Sequence, residues 1–169
     1  MKKTISVMLA AIMAAALGAC VQVQPRAASA EPPVETVQPA RMERYSENGV
    51  NISIEIYDSW QCSTFDDGSN RGLVLTPPYA PALKFSIAYN KHGLGVCGTG
   101  LREDKTSIAG CDARLGYYDS SDIWSFITID YDGKSYSVTW TCGSDTVTDD
   151  MISTACSDIC AMLGSLSLS

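Results

Sequence analysis

Four stretches of the chain alternate apolar and polar residues with a period of two, which restricts the fold more tightly than any other feature. Val50, Ile52, Ile54 and Ile56 alternate with Asn51, Ser53 and Glu55. Leu83, Phe85, Ile87 and Tyr89 alternate with Lys84, Ser86 and Ala88. Cys111, Ala113, Leu115 and Tyr117 alternate with Asp112, Arg114 and Gly116. Tyr136, Val138, Trp140 and Cys142 alternate with Ser135, Ser137, Thr139 and Thr141. Successive side chains of a strand point to opposite faces, so each stretch reads as a strand with one buried and one wet face, the pattern of antiparallel sheets. The segment "IWSFITIDY", 123–131, is apolar on both faces at first and reads as a more central strand. Asp132-Gly133 then makes a two-residue hairpin turn, and "DSSD", 119–122, marks another turn.

The period changes near the C-terminus. Ile152, Ala155, Cys156, Ile159 and Leu163 recur at helical spacing along one face. Thr148 can cap that helix, Asp149 and Asp150 suit the positive end of its dipole, and Gly164 is a plausible stop. The expected architecture is α+β: an antiparallel sheet of about 5–7 strands, covered by one C-terminal helix and stapled by disulfides. A small β-barrel with the helix plugging one end is the alternative. Residues 48–169 suffice for one folded domain.

The N-terminus carries a different signal. Lys2 and Lys3 precede an uncharged, mostly apolar run of thirteen residues, 5–17. A membrane-spanning helix needs about 20 apolar residues, whereas this length suits the core of a signal peptide. The run ends in Leu17-Gly18-Ala19-Cys20, which resembles the lipobox of bacterial lipoproteins. That resemblance covers the export signal alone, residues 1–19. It implies a diacylglyceryl thioether on Cys20, cleavage before that residue and an acylated amine, palmitate included. Such multiple acyl chains hold a protein stably on a membrane. Val21 stands where an aspartate would retain an enteric lipoprotein in the inner membrane, so the resemblance implies the outer membrane. Two readings compete: an ordinary cleavage site at Ala28-Ser29-Ala30, distant from the apolar core, and an uncleaved helix in which Cys20 is a plain thiol. Residues 20–47 hold Pro25, Pro32, Pro33 and Pro39 and no apolar period, and read as the lipidated cysteine followed by a disordered tether.

Without the signal, ten Lys/Arg face nineteen Asp/Glu, a net charge near −9. No basic stripe remains to neutralise phosphates, which argues against a nucleic-acid partner. The expected contact with membrane is through the acyl anchor.

With Cys20 acylated, six cysteines remain, and an even number in an exported domain predicts disulfides. Cys97 and Cys111 bracket the polar segment "GTGLREDKTSIAG" and form the preferred pair. Closing such a loop stabilises by roughly 3 kcal/mol in the chain-entropy account. Cys156 and Cys160 lie one helical turn apart, so each is expected to reach a strand end, with Cys62 and Cys142 as partners. The segment "HGLGVCGTG", 92–100, contains the G-x-G-x-x-G spacing at Gly93, Gly95 and Gly98. A dinucleotide fingerprint needs a helix next, and "LREDKTSIAGCDARL" has no amphipathic period, so no nucleotide is expected. The only histidine, His92, precedes Cys97 by five residues, but a nucleophile needs a free thiol beside its base. The stretch reads as a glycine-rich turn.

One histidine cannot build a multi-histidine metal centre, and G-x-S-x-G, S-x-x-K and C-x-x-C are absent from the sequence. Acidic residues cluster at Asp66-Asp67, at Asp130 and Asp132, and at Asp145, Asp149 and Asp150, where turns and helix capping account for them. No catalytic residue, metal ligand or cofactor is assigned. The expected function is a membrane-anchored envelope lipoprotein acting as a non-enzymatic binding or scaffolding module for an envelope protein or cell-wall component. The alternative is a small envelope hydrolase using paired carboxylates. The binding surface is expected at the ridge Pro77, Pro78 and Tyr79, and at Tyr118, which should point away from a buried Tyr117.

Overall fold

The computed structural model describes Gln38 and residues 40–119 and 121–169. The lipobox and the Ala28–Ala30 site lie outside the described residues. The strands are β1 (Ala40–Glu47), β2 (Val50–Tyr57), β3 (Gln61–Asp66), β4 (Asn70–Thr76), β5 (Leu83–Asn90), β6 (Arg102–Ile108), β7 (Cys111–Tyr117), β8 (Phe126–Tyr131), β9 (Lys134–Cys142) and β10 (Ser167–Leu168). Helix α1 (Asp149–Met162) runs into a 3-10 turn before β10. The protein is α+β, as the periodicities predict, and mostly antiparallel sheet. The strands form not one sheet but two: a seven-stranded sheet ordered β3-β4-β5-β9-β8-β7-β6 and a three-stranded sheet ordered β1-β2-β10. The large sheet is not closed into a barrel.

The alternating strands turn inward the faces that their patterns assign to the core, except at the end of β9, where Cys142 is exposed. Ile52, Ile54 and Ile56 on β2 and Leu83, Phe85 and Ile87 on β5 are fully buried. Register places Phe85 beside Trp140, Ile87 beside Val138 and Ile127 beside Val138. One face of the large sheet is therefore a continuous apolar surface, completed by Leu73, Leu75, Tyr136 and Ile129. The small sheet and α1 cover it in a single core. The helix contributes Ile152, Ala155, Cys156, Ile159 and Met162. Thr148 Oγ1 accepts from the Met151 N–H at 3.3 Å, as the capping pattern predicts. The α-helix ends at Met162 and Gly164 lies in the 3-10 turn, close to the expected stop.

The Asp132-Gly133 turn joins β8 to β9 with both residues at positive φ, 48° and 71°. This is the backbone whose twist suits a two-residue hairpin. Asn48-Gly49 repeats it between β1 and β2, at 52° and 73°.

Three expectations need correction. Residues 40–47 belong to the fold, not to the tether. Strand β1 escapes a hydrophobic reading because its inward positions carry Arg41, Glu43 and Tyr45. Arg41 fastens it by donating to the carbonyls of Asp58 at 2.7 Å and Trp60 at 2.8 Å. Residues 102–108 are likewise not a loop but the edge strand β6. Its residues are almost all exposed, so neither face shows an apolar period. Charged residues along a free edge discourage pairing with another chain.

The disulfides are the third correction. Cys62, Cys97, Cys111, Cys142, Cys156 and Cys160 are all free thiols. The segment between Cys97 and Cys111 is strand β6, which separates them by its own length. Ile108 pairs with Cys111 at one end of the β6–β7 hairpin, while Arg102 pairs with Tyr117 at the other. The Tyr118 hydroxyl, at that far end, reaches the Cys97 carbonyl. Seven residues of strand span about 20 Å, far beyond disulfide reach. Cys156 and Cys160 face the segment before β8, so they do not meet Cys62 on the edge strand β3 or Cys142 at the end of β9.

Strands β5 and β6 run in the same direction with β9, β8 and β7 between them. Residues 91–101 must therefore cross the sheet from end to end. They cross the face opposite the core. The Tyr118 ring packs at a tilt against Phe126, 6.2 Å between centroids, and the Phe126 ring occupies the space that a Cβ on Gly116 would need. On this outer face Ala88, Asn90, Thr128 and Ser137 are buried, and Asn90 Nδ2 donates to Ser137 Oγ at 2.9 Å.

The β6–β7 turn holds Ala109 at φ 50° and Gly110 at φ 81°. An alanine in the left-handed region costs roughly 1 kcal/mol, and asparagine tolerates that region without glycine's extra unfolded-state entropy. Ala109→Asn is expected to stabilise the protein by about 0.5–1 kcal/mol, seen as a higher urea midpoint at constant slope. An unchanged or lower midpoint would contradict this turn and the strand β6 that depends on it.

Candidate functional site

Residues 123–125, just before β8, expose the most chemically distinctive arrangement in the fold. Trp124 is buried, its ring tilted against Phe85 at 6.0 Å. Its carbonyl accepts from Trp140 Nε1 at 2.7 Å, which locks the backbone. Helix α1 passes over this segment and presents Cys156 and, one turn later, Cys160. Together with Asp122, Ile123, Ser153 and Ser157 these residues line a pocket of about 320 Å³. Cys156 is 4% exposed and forms the floor, whereas Cys160 is exposed at the rim. The Trp124 Nε1 atom is buried without a hydrogen-bond partner.

The thiols share an electrostatic environment. Burial, and then the neighbouring Cys160, pushes Cys156 up to about 12. Burial also raises Cys160, against a smaller opposing pull from the Trp124 indole N–H turned toward it. Both thiols are thus protonated at neutral pH. They make poor nucleophiles there, because the thiolate is the reactive form.

The surface residues singled out by sequence are more firmly incorporated than expected. Pro77 is buried, so the ridge is reduced to Pro78 and Tyr79. Tyr79 is 39% exposed, but its hydroxyl donates to Asp158 Oδ2 at 2.9 Å and its ring meets Trp60 edge-on at 6.5 Å. Burial and the Asp158 carboxylate raise the Tyr79 hydroxyl well above its ordinary value. Tyr79 therefore ties the 77–82 connection to α1. Beside it, Met151, Asp150 and Thr154 line a shallow apolar hollow. Tyr118 does lie on the opposite face from the core, yet it is half-buried and holds the crossing segment through Phe126 and the Cys97 carbonyl, at 3.4 Å. Tyr117 is half-buried, not fully buried, beneath the Arg102 guanidinium at 4.4 Å.

The glycine-rich stretch lies in the crossing segment. Gly93 has φ 75° and its N–H returns to the Asn90 carbonyl at 3.2 Å, which is the expected turn. The element that follows is the strand β6, not a helix whose N-terminus could meet a phosphate. His92 and Cys97 are both exposed.

The carboxylates separate into local and shared roles. Asp67 accepts from the N–H groups of Ser69 and Asn70 and from Asn70 Nδ2, which lowers its carboxyl below the usual range. Asp66 meets Tyr45 at 3.4 Å and Arg71 at 3.8 Å. Sequence reasoning missed the one cross-strand carboxylate pair among the described residues, Asp112 opposite Asp130 on β7 and β8. They share a pocket of about 270 Å³ with Lys105, Thr106, Ala113 and Arg114. Arg114 reaches Glu103 at 3.8 Å and Asp130 at 3.6 Å. Only correct register of β6, β7 and β8 brings these groups together, and β6 has no sequence signal.

Comparison with family models, with curated protein sequences and with solved structures finds no match.

Native alkylation of the reduced or unreduced protein should give the same pattern, because the described thiols are free. Cys97 and Cys142, both exposed, should react first with iodoacetamide at neutral pH, Cys160 more slowly, and Cys156 only on unfolding. Intact mass after unfolding without reductant checks this. A deficit of two alkyl groups would mean that a disulfide had been present.

Proposed function

We propose that the chain is an envelope lipoprotein anchored through Cys20, at the outer membrane rather than the inner. Its folded domain acts as a non-enzymatic module that binds or scaffolds another envelope protein or a cell-wall component. The anchor rests on Leu17-Gly18-Ala19-Cys20 after a short apolar core and two lysines. The binding reading rests chiefly on where the reactive groups sit. Asp66, Asp67 and Asp158 hold side chains and turns of the fold. His92 stands exposed on the crossing segment. The buried thiol Cys156 is held protonated.

A second reading has one observation in its favour, the Asp112–Asp130 pair. A glycan hydrolase needs one carboxyl kept protonated by desolvation and another kept ionised. The Asp130 side chain is 64% exposed and lies 3.6 Å from Arg114, so it is open to solvent and not desolvated. The pair suits a charged surface network better than an acid and its base.

Two experiments separate these readings. Cys20→Ser should release the protein from the membrane fraction and abolish incorporation of labelled palmitate; a protein still lipidated and membrane-bound would refute the anchor. Purified protein incubated with cell-wall glycan and peptide should show no turnover. Turnover that disappears in Asp112→Asn or Asp130→Asn would replace the binding reading with the hydrolase.

A further inference from the structure

We propose that the pocket between α1 and the Ile123–Trp124 segment is a two-thiolate site for a soft monovalent metal ion, copper(I), held between Cys156 and Cys160 with the Trp124 indole beside it. The site is complete within the folded domain and does not depend on the lipid anchor or on the choice between binding module and hydrolase.

Helical spacing is the first ground. Side chains four residues apart on a helix have Cβ atoms about 5–6 Å apart. A disulfide requires about 3.5–4.5 Å, so the pair is not a dithiol poised to close on itself. The wider gap suits two sulfurs on opposite sides of one ion. The pocket extends over both cysteines and is open at Cys160, which provides an entry path.

The donor set is the second ground. Structural zinc takes four ligands in a tetrahedron, and calcium or magnesium takes a cage of oxygens. This pocket supplies two sulfurs, no imidazole and one carboxylate, Asp122, which is exposed at its edge. Soft thiolates select copper(I), a closed-shell ion that two thiolates can satisfy.

The indole is the third and independent ground. Trp124 is 5% exposed and its Nε1–H has no partner. It lines the same pocket as Cys156 and Cys160. A neutral thiol is a weak acceptor. A metal-bound thiolate carries charge and accepts well, so loading the site gives this buried donor the partner it lacks. Hydrogen bonds of this kind orient metal ligands and tune them.

The binding step balances without electron transfer. One copper(I) ion displaces the protons of two thiols, two copper–sulfur bonds form, the complex carries one negative charge and both protons pass to solvent. Asp122 opposes that negative charge from the rim, while Ser153 and Ser157 on the helix are neutral. Two protons leave for each ion bound, so apparent affinity should rise by about a hundredfold per pH unit near neutrality.

The test uses the full chain carrying Cys20→Ser, reduced and anaerobic, titrated with copper(I) supplied as its bathocuproine disulfonate complex. The expected result is one tightly held ion per chain, with quenching of tryptophan emission and the two-proton pH dependence. Cys97→Ser with Cys142→Ser should leave that ion in place, and Cys160→Ser should lose it. Cys160 lies at the rim, so its variant decides the matter even where Cys156→Ser fails to fold, as judged by far-ultraviolet circular dichroism. Trp124→Phe keeps both sulfurs and should weaken binding by about tenfold. Equal retention by Cys160→Ser, or equal loss on replacing Cys97 and Cys142, would overturn the site as adventitious thiol binding. Displacement of copper(I) by equimolar zinc(II) would overturn the choice of metal.

Discussion

The strands at the centre of the large sheet are buried on both faces, and the rest of the fold follows from the need to cover both. Ile87 and Ala88, Val138 and Ser137, and Ile127 and Thr128 are neighbours in sequence that point to opposite sides, and all are buried. On the core side the cover is α1 with the small sheet. On the other side it is the chain itself, residues 91–101, which must cross because β5 and β6 run parallel within one sheet. The two covers differ in chemistry. The core side is held by apolar burial, worth roughly 25 cal/mol per Å² of surface removed from water. The crossing side encloses polar groups, and there the Asn90–Ser137 hydrogen bond prevents two side chains from being left unsatisfied, each at a cost of about 1–3 kcal/mol.

Both covers also decide which groups are available for chemistry. The crossing segment carries His92 and Cys97 out into solvent, away from any buried base or acid. The helix carries Cys156 inward and leaves Cys160 at the edge, beside an indole N–H that the fold does not otherwise use. Trp124 thus serves two surfaces: its ring extends the aromatic contacts from Trp60 through Phe85, while its Nε1 faces the thiols. Thiols stay unpaired where no second sulfur comes within bonding geometry. The strand length that separates Cys97 from Cys111 enforces this separation, and the helical rise between Cys156 and Cys160 does the same.

Legibility tracks apolar contrast along the chain. Strands β2, β5, β7 and β9 and the face of α1 were readable because apolar residues line one side of each and mostly polar or small residues the other, whether or not the fold covers that second side. Asp132-Gly133 was readable because a two-residue turn at positive φ favours that dipeptide. Asn48-Gly49 carries the same signal, and it could have located β1. Strand β6 could not be found in this way, because an edge strand with both faces exposed has no contrast to show. Misreading β6 as a loop led to the expectation of the Cys97–Cys111 disulfide, whereas the Asp112–Asp130 pair was hidden because the register of β7 against β8 is not written in the period of either strand.

The sequence by itself determined the α+β class, the core faces of the alternating strands, the capped C-terminal helix and the hairpin at Asp132-Gly133. These depend on neighbours within a few residues, whose burial and backbone preferences act locally. Tertiary structure alone decided that the strands divide into two sheets, that residues 91–101 cross the polar face, that Pro77 is buried and Tyr79 is tied to Asp158, and that Cys156 and Cys160 meet Trp124 rather than other sulfurs. Each of these brings together residues distant in sequence, and strand order and register, which local periodicity does not encode, set which of them meet.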